Sequence, residues 1–89
     1  MGMVRVVLDG DRSFYLLDRE MFSRGYRRYI DDGPRRFSLP VGSYWMPDPV
    51  EAEDMRADTM AALDAADELG ASVVATSGPT EFDGLEVIW

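Results

Sequence analysis

Residues 48–69 read as one long helix with a single apolar side, and burying that side dictates what the rest of the chain must do. Asp48 suits the N-cap, Pro49 the first helical position and Glu51 the third, an aspartate version of the capping box. Ala52, Met55, Thr59, Ala62, Leu63, Ala66 and Leu69 recur at helical spacing as one stripe, and Gly70 closes the helix. The sequence of 89 residues is short enough to be one domain, 1–89, with a modest core. The stripe therefore needs a sheet to lie on.

Strand signals supply one. Val-Arg-Val-Val-Leu at 4–8 and Ser-Phe-Tyr-Leu-Leu at 13–17 are β-branched and aromatic, and they flank the hairpin signal Asp9-Gly10-Asp11-Arg12. Asp18 suits an N-cap for a first helix carrying Phe22, Tyr26, Tyr29 and Ile30, ended by Gly33-Pro34. A third strand is expected over 36–44, with Pro40 forcing an edge or a bulge, then strands over 71–76 and 85–89. The expectation is an α+β fold in β-β-α-β-α-β-β order: a two-layer domain with a mixed sheet of four to five strands and two helices packed on it. Residues 37–76 can form a parallel strand–helix–strand crossover.

Charge is distributed unevenly. Residues 48–69 hold Asp48, Glu51, Glu53, Asp54, Asp58, Asp64, Asp67 and Glu68 against Arg56 alone, a net of −7 out of −8 for the whole chain. Asp48 and Glu51 favour a helix N-terminus, but Asp67 and Glu68 oppose the dipole at the other end. Asp54/Asp58 and Asp64/Glu68 are like-charged i,i+4 pairs, each costing about 0.2–0.5 kcal/mol. An acidic solvated face accounts for this layout, and so does a docking surface for a basic protein.

By contrast Arg19, Arg24, Arg27, Arg28, Arg35 and Arg36 outnumber Glu20, Asp31 and Asp32 within one segment, for a local net of +3. On the expected first helix Arg24, Arg27 and Arg28 form a cationic face, complementary to the acidic helix of a second copy, so a homo-oligomer is expected. The overall charge of −8 disfavours direct nucleic-acid binding.

Absent residue types exclude much chemistry. The sequence has no His, Cys, Lys, Asn or Gln, which removes the usual general base, thiol nucleophile, Schiff-base lysine and His/Cys zinc sites. No cofactor and no metal site are expected. No apolar run reaches the roughly 18–20 residues needed to span a bilayer, and 1–8 lacks the shape of a signal peptide, so a cytoplasmic location is expected.

Two motifs keep other chemistries in view. Val-Val-Leu-Asp9-Gly-Asp11 resembles the opening of haloacid-dehalogenase-type phosphotransferases, in which the first Asp is the nucleophile and the second the acid/base, and Val-Val-Ala-Thr76-Ser77-Gly resembles their phosphate-binding strand. The chain departs from that family in lacking its lysine and in leaving only eleven residues for its later acidic pair. Asp9, Asp11, Ser13 and Glu20 also occupy calcium-loop positions, with Phe14 where glycine is required. Tyr44-Trp45-Met46 reads as a bulky loop cluster that either anchors a partner or lids the core.

The reading these features support is a non-catalytic, self-associating acidic interaction module, of the kind a phage or mobile element would direct at a host factor. Its candidate surfaces are the acids at 53, 54, 58, 64, 67 and 68, the arginines at 24, 27 and 28, and the aromatics at 44 and 45. The alternatives are an acidic nucleic-acid mimic that binds a basic protein, and a minimal phosphotransferase using Asp9 and Asp11.

Overall fold

A computed structural model of the chain describes residues 1–10, 13–68, 70–78 and 84–88. The elements are β1 (Gly2–Val7), α1 (Tyr15–Ser23), β2 (Tyr29–Asp32), β3 (Arg35–Ser38), β4 (Ser43–Met46), α2 (Ala52–Ala65) and β5 (Ser72–Ser77). β1 is the centre of a three-stranded antiparallel sheet in the order β4-β1-β5, and β2 and β3 form a separate hairpin. The fold is α+β with two helices, as expected. The crossover is present in altered form: β4 and β5 are both antiparallel to β1, hence parallel to each other, with β1 between them.

Alternation along β1 decides the layering. Val4 and Val6 are buried on one face with Tyr44 and Met46 of β4, where Leu17 and Met21 of α1 and Met55, Ala62 and Leu63 of α2 pack on them. On the reverse face Trp45 joins Ile30 and Leu39 in a second cluster, packed by Met3, Tyr29 and Leu85. The hairpin thus covers the β4 side of the reverse face, while Val7 and Val74 remain largely exposed.

Both helices end in the same device. In α1 the Tyr26 N–H donates to Met21 O and the Gly25 N–H to Phe22 O, with Gly25 at φ +91°; this is a Schellman motif whose flanking residues Met21 and Tyr26 are both buried. A helix running on to Asp32 is therefore corrected: Gly25 in the left-handed region stops it at Ser23, and the freed residues become β2. In α2 Glu68 donates to Leu63 O and Asp67 to Asp64 O, with Asp67 itself at φ +56°. This end falls before Gly70, so Asp64 and Glu68 are not an i,i+4 pair within a helix.

Other differences are local too. The strand expected over 13–17 is the start of α1, because Phe14, Leu17 and Met21 share the spacing that turns them onto the core. Asp18 lies inside that helix and is not its cap. The strand expected over 36–44 is two strands, parted by Leu39, Pro40 and Gly42, with the Ser43 N–H turned back to Pro40 O. The long helix begins at Ala52, and Asp48 is not its N-cap; Glu51 is, without a side-chain hydrogen bond. Val50 and Met55, one residue before the cap and four after it, both pack on the main core, so a hydrophobic staple replaces the capping box. The last strand reduces to a bridge between Val87 and Phe37, and Trp89 lies outside the described residues. Among the described residues no helix is long and apolar enough to cross a membrane.

Candidate interaction site

On α2 the buried stripe is Met55, Thr59, Ala62 and Leu63. Glu53, Asp54, Asp58 and Asp64 are exposed outside it, and Asp67 is exposed just beyond the helix end. Glu53 and Asp54 stand in the first turn, where the helix dipole favours them. Among the described residues the side chains of Glu53, Asp54, Asp64 and Asp67 meet no cation and no hydrogen-bond donor. Asp58 differs: the Tyr26 hydroxyl donates to its Oδ2 at 3.2 Å, which ties that flank of α2 to the end of α1.

Arg24, Arg27 and Arg28 do not form the helical face expected of them. All three lie past the end of α1, and two are engaged: Arg24 with Glu20 at 3.0 Å and Arg28 with Asp18 at 3.0 Å. The backbone of Arg27 exchanges two hydrogen bonds with Trp45, closing the outer edge of β4. In the hairpin Arg36 clasps Asp31 through two nitrogens and stacks over Tyr29, 3.8 Å from its ring centre. That ion pair holds the Asp31 carboxyl below the usual carboxylate range, chiefly through the hydrogen bond.

Tyr44 and Trp45 are corrected as a surface. They are strand residues, 0% and 7% exposed, one in each hydrophobic cluster. The Tyr44 hydroxyl donates to Asp18 Oδ1 at 2.5 Å, so Asp18 joins α1, Arg28 and β4 at one point. Sequence reasoning assigned Asp18 to a cap and missed this role; its position directly beside the core residue Leu17 is the signal that pointed to it.

The phosphotransfer and calcium candidates do not converge. Thr76 pairs with Met3 and Ser77 with Gly2, at the start of β1, whereas Asp9 follows its far end. Six residues of extended chain separate the two sets by about 20 Å. Asp11 lies outside the described residues, and Glu20 is held by Arg24. Among the described residues no three acidic side chains are grouped as metal ligands.

The chain matches no known family model, no curated protein and no solved structure. Its chemistry therefore has to be read from the surfaces themselves. Besides the acidic flank and the exposed Val7 and Val74, the outer side of α1 presents Tyr15, Leu16 and Phe22 to solvent; Phe22 is thus not the core residue its spacing suggested.

Two buried hydroxyls give the fold an alkaline limit. Burial, then the neighbouring carboxylates Asp58 and Asp18, raise the ionisation of Tyr26 and Tyr44 well above the ordinary tyrosine value. Both side chains are fully buried. In the unfolded chain they lose their protons near pH 10, so the stability they confer is complete below that pH and is lost as pH rises toward the folded values. Each contributes a slope of about 1.4 kcal/mol per pH unit. Stability is expected to fall progressively from about pH 10 upward, followed by urea midpoints and tyrosinate absorbance in a Tyr15→Phe/Tyr29→Phe background. Tyrosinate appearing while the fold persists would contradict the burial.

Proposed function

We propose that this chain is a non-catalytic interaction module that binds a basic protein through the exposed acids of α2. The observation that carries the reading is that, among the described residues, Glu53, Asp54, Asp64 and Asp67 are unpaired while Arg24, Arg28 and Arg36 are engaged within the chain. Asp67 strengthens it. A left-handed residue at a helix end is ordinarily glycine, and an acid there also opposes the dipole, so this position carries charge at a cost in stability. Exposed charges of this kind add little to folding and much to partner selection and association rate.

Pairing of the arginine segment with the acidic helix of a second copy has fewer free guanidiniums to draw on than the sequence suggests, which leaves a basic partner as the better complement to α2.

A synthetic decapeptide of alternating arginine and valine serves as the probe. Glu53→Arg with Asp64→Arg is expected to weaken its binding by about tenfold or more, and added salt to weaken the wild type similarly. Asp58 is unsuitable for reversal because it receives the Tyr26 hydroxyl. Binding indifferent to both reversal and salt would dispose of the acidic-helix reading.

A further inference from the structure

The edges of the sheets are treated differently. The outer edge of β4 is closed by the double hydrogen bond to Arg27, and that of β3 by residues 86–88, with Ser38 donating to Glu86 O and Ile88 to Arg36 O. β2 is four residues long and carries the charges of Asp31 and Asp32, which discourage strand pairing. β5 has none of these protections. It is six residues, Ser-Val-Val-Ala-Thr-Ser, without charge, proline or bulge, and its register with β1 is unbroken. Among the described residues nothing pairs with its outer side.

The register shows which groups are presented there. Gly78 donates to Met1 O, so in antiparallel alternation Ser72, Val74 and Thr76 bond inward to β1. Val73, Ala75 and Ser77 therefore turn their N–H and C=O groups outward. α2 packs against β5 and β1 above this edge. Asp58 faces α1, and Glu53, Met60 and Asp64 lie roughly 120–160° around the helix from it, on the flank over the β5 side. Where β5 begins, an open hollow of about 410 Å³ is lined by Met60, Leu63, Asp64, Glu68 and Gly70.

We propose that β5 accepts an extended segment of the basic partner as an added antiparallel strand beneath the acidic flank of α2. The inference rests on the proposed function and specifies how that site takes its partner. Residues opposite Val73 and Ala75 point to the helix side, where a basic side chain lays its stem on the exposed Met60 and its charge on Asp64. The alternate residues lie on the open face beside Val74, which is 62% exposed, and are apolar there. Main-chain bonds give affinity and the alternation gives selectivity. A second copy is the poorer occupant, since edge-to-edge pairing brings two acidic flanks together.

The arginine–valine decapeptide tests this with backbone-selective changes. In the strand geometry its arginine N–H groups bond β5 and its valine N–H groups face away. N-methylation of the arginines is expected to weaken binding by about tenfold or more, N-methylation of the valines to leave it unchanged, and the amides of 73, 75 and 77 to gain exchange protection. Ala75→Pro removes one outward N–H without touching the β1 ladder, and is expected to weaken binding to the same degree; should that variant misfold, the two methylated peptides still decide. Equal binding of both methylated peptides, with Glu53→Arg/Asp64→Arg still disruptive, overturns strand addition and leaves the acidic-helix reading intact. A peptide that does not bind wild type overturns both. A free chain that is dimeric, with those amides already protected, assigns the edge to a second copy and overturns the proposal.

Discussion

Gly42→Ala is expected to lower the stability of the fold by about 2–5 kcal/mol, combining left-handed backbone strain with overpacking. Gly42 sits at φ +89°, and a Cβ built there would lie 2.6 Å from the Val6 carbonyl oxygen and 3.1 Å from the Phe14 ring. Neither neighbour has room to yield. Val6 is fixed by its own N–H, which donates to Gly42 O at 2.8 Å as the last rung between β1 and β4, and Phe14 packs on the main core. Total stability for a chain of this length is about 4–13 kcal/mol, so the substitution removes a large fraction of it. Gly33→Ala is the matched control, because Gly33 has φ +62° but nothing within 4 Å of an added Cβ. Urea midpoints for the two variants separate strain from collision. Equal midpoints would mean that the close approach at Gly42 is absent.

Where the sequence was informative, the signal was periodic and local. The α2 stripe and the 71–76 strand needed no tertiary knowledge, because each repeats its spacing over several residues, and the acidic charge of α2 comes straight from composition. The segment at 13–17 misled because its aromatic and aliphatic residues suit a strand as well as a helix. Only the continuation to Met21 and the need to cover Val4 and Val6 select the helix. Gly25 was a stop signal hidden inside an apparently continuous helical pattern; whether such a glycine adopts φ +91° depends on Tyr26 finding its buried place against Met21.

The candidate surfaces divided on the same principle. The acids on α2 were placed outward by periodicity alone. Tyr44 and Trp45 could not be placed, since a strand buried on both faces and an exposed loop cluster share one composition, and only the hairpin packed on the reverse face buries Trp45. The arginines failed for a different reason. Arg24 pairs locally with Glu20, but the partners of the other two are Asp18 for Arg28, ten residues away, and Asp31 for Arg36 across a hairpin, which the sequence does not show. The free edge of β5 was invisible for want of strand order, although the absence of charge from 71–78 is plain in the sequence.

Asp18→Ala is expected to cost about 2–4 kcal/mol, because it orphans two donors at once. The Tyr44 hydroxyl, on a side chain with no exposure, loses its acceptor at 2.5 Å, and Arg28 loses its carboxylate at 3.0 Å. The Arg28 side chain is 31% exposed, so water recovers part of that second loss and the ion pair counts for less than a buried one. Tyr44→Phe removes only the donor and leaves Asp18 with Arg28, for an expected cost of about 1–2 kcal/mol. In the Tyr44→Phe background Asp18→Ala should therefore cost about 1–2 kcal/mol less than it does alone. Strict additivity in that cycle would show that the hydroxyl does not depend on Asp18. The cycle also separates folding from binding: Tyr44 and Asp18 touch neither the free acids of α2 nor the β5 edge, so Tyr44→Phe should lower the urea midpoint while binding the arginine–valine peptide as the wild type does.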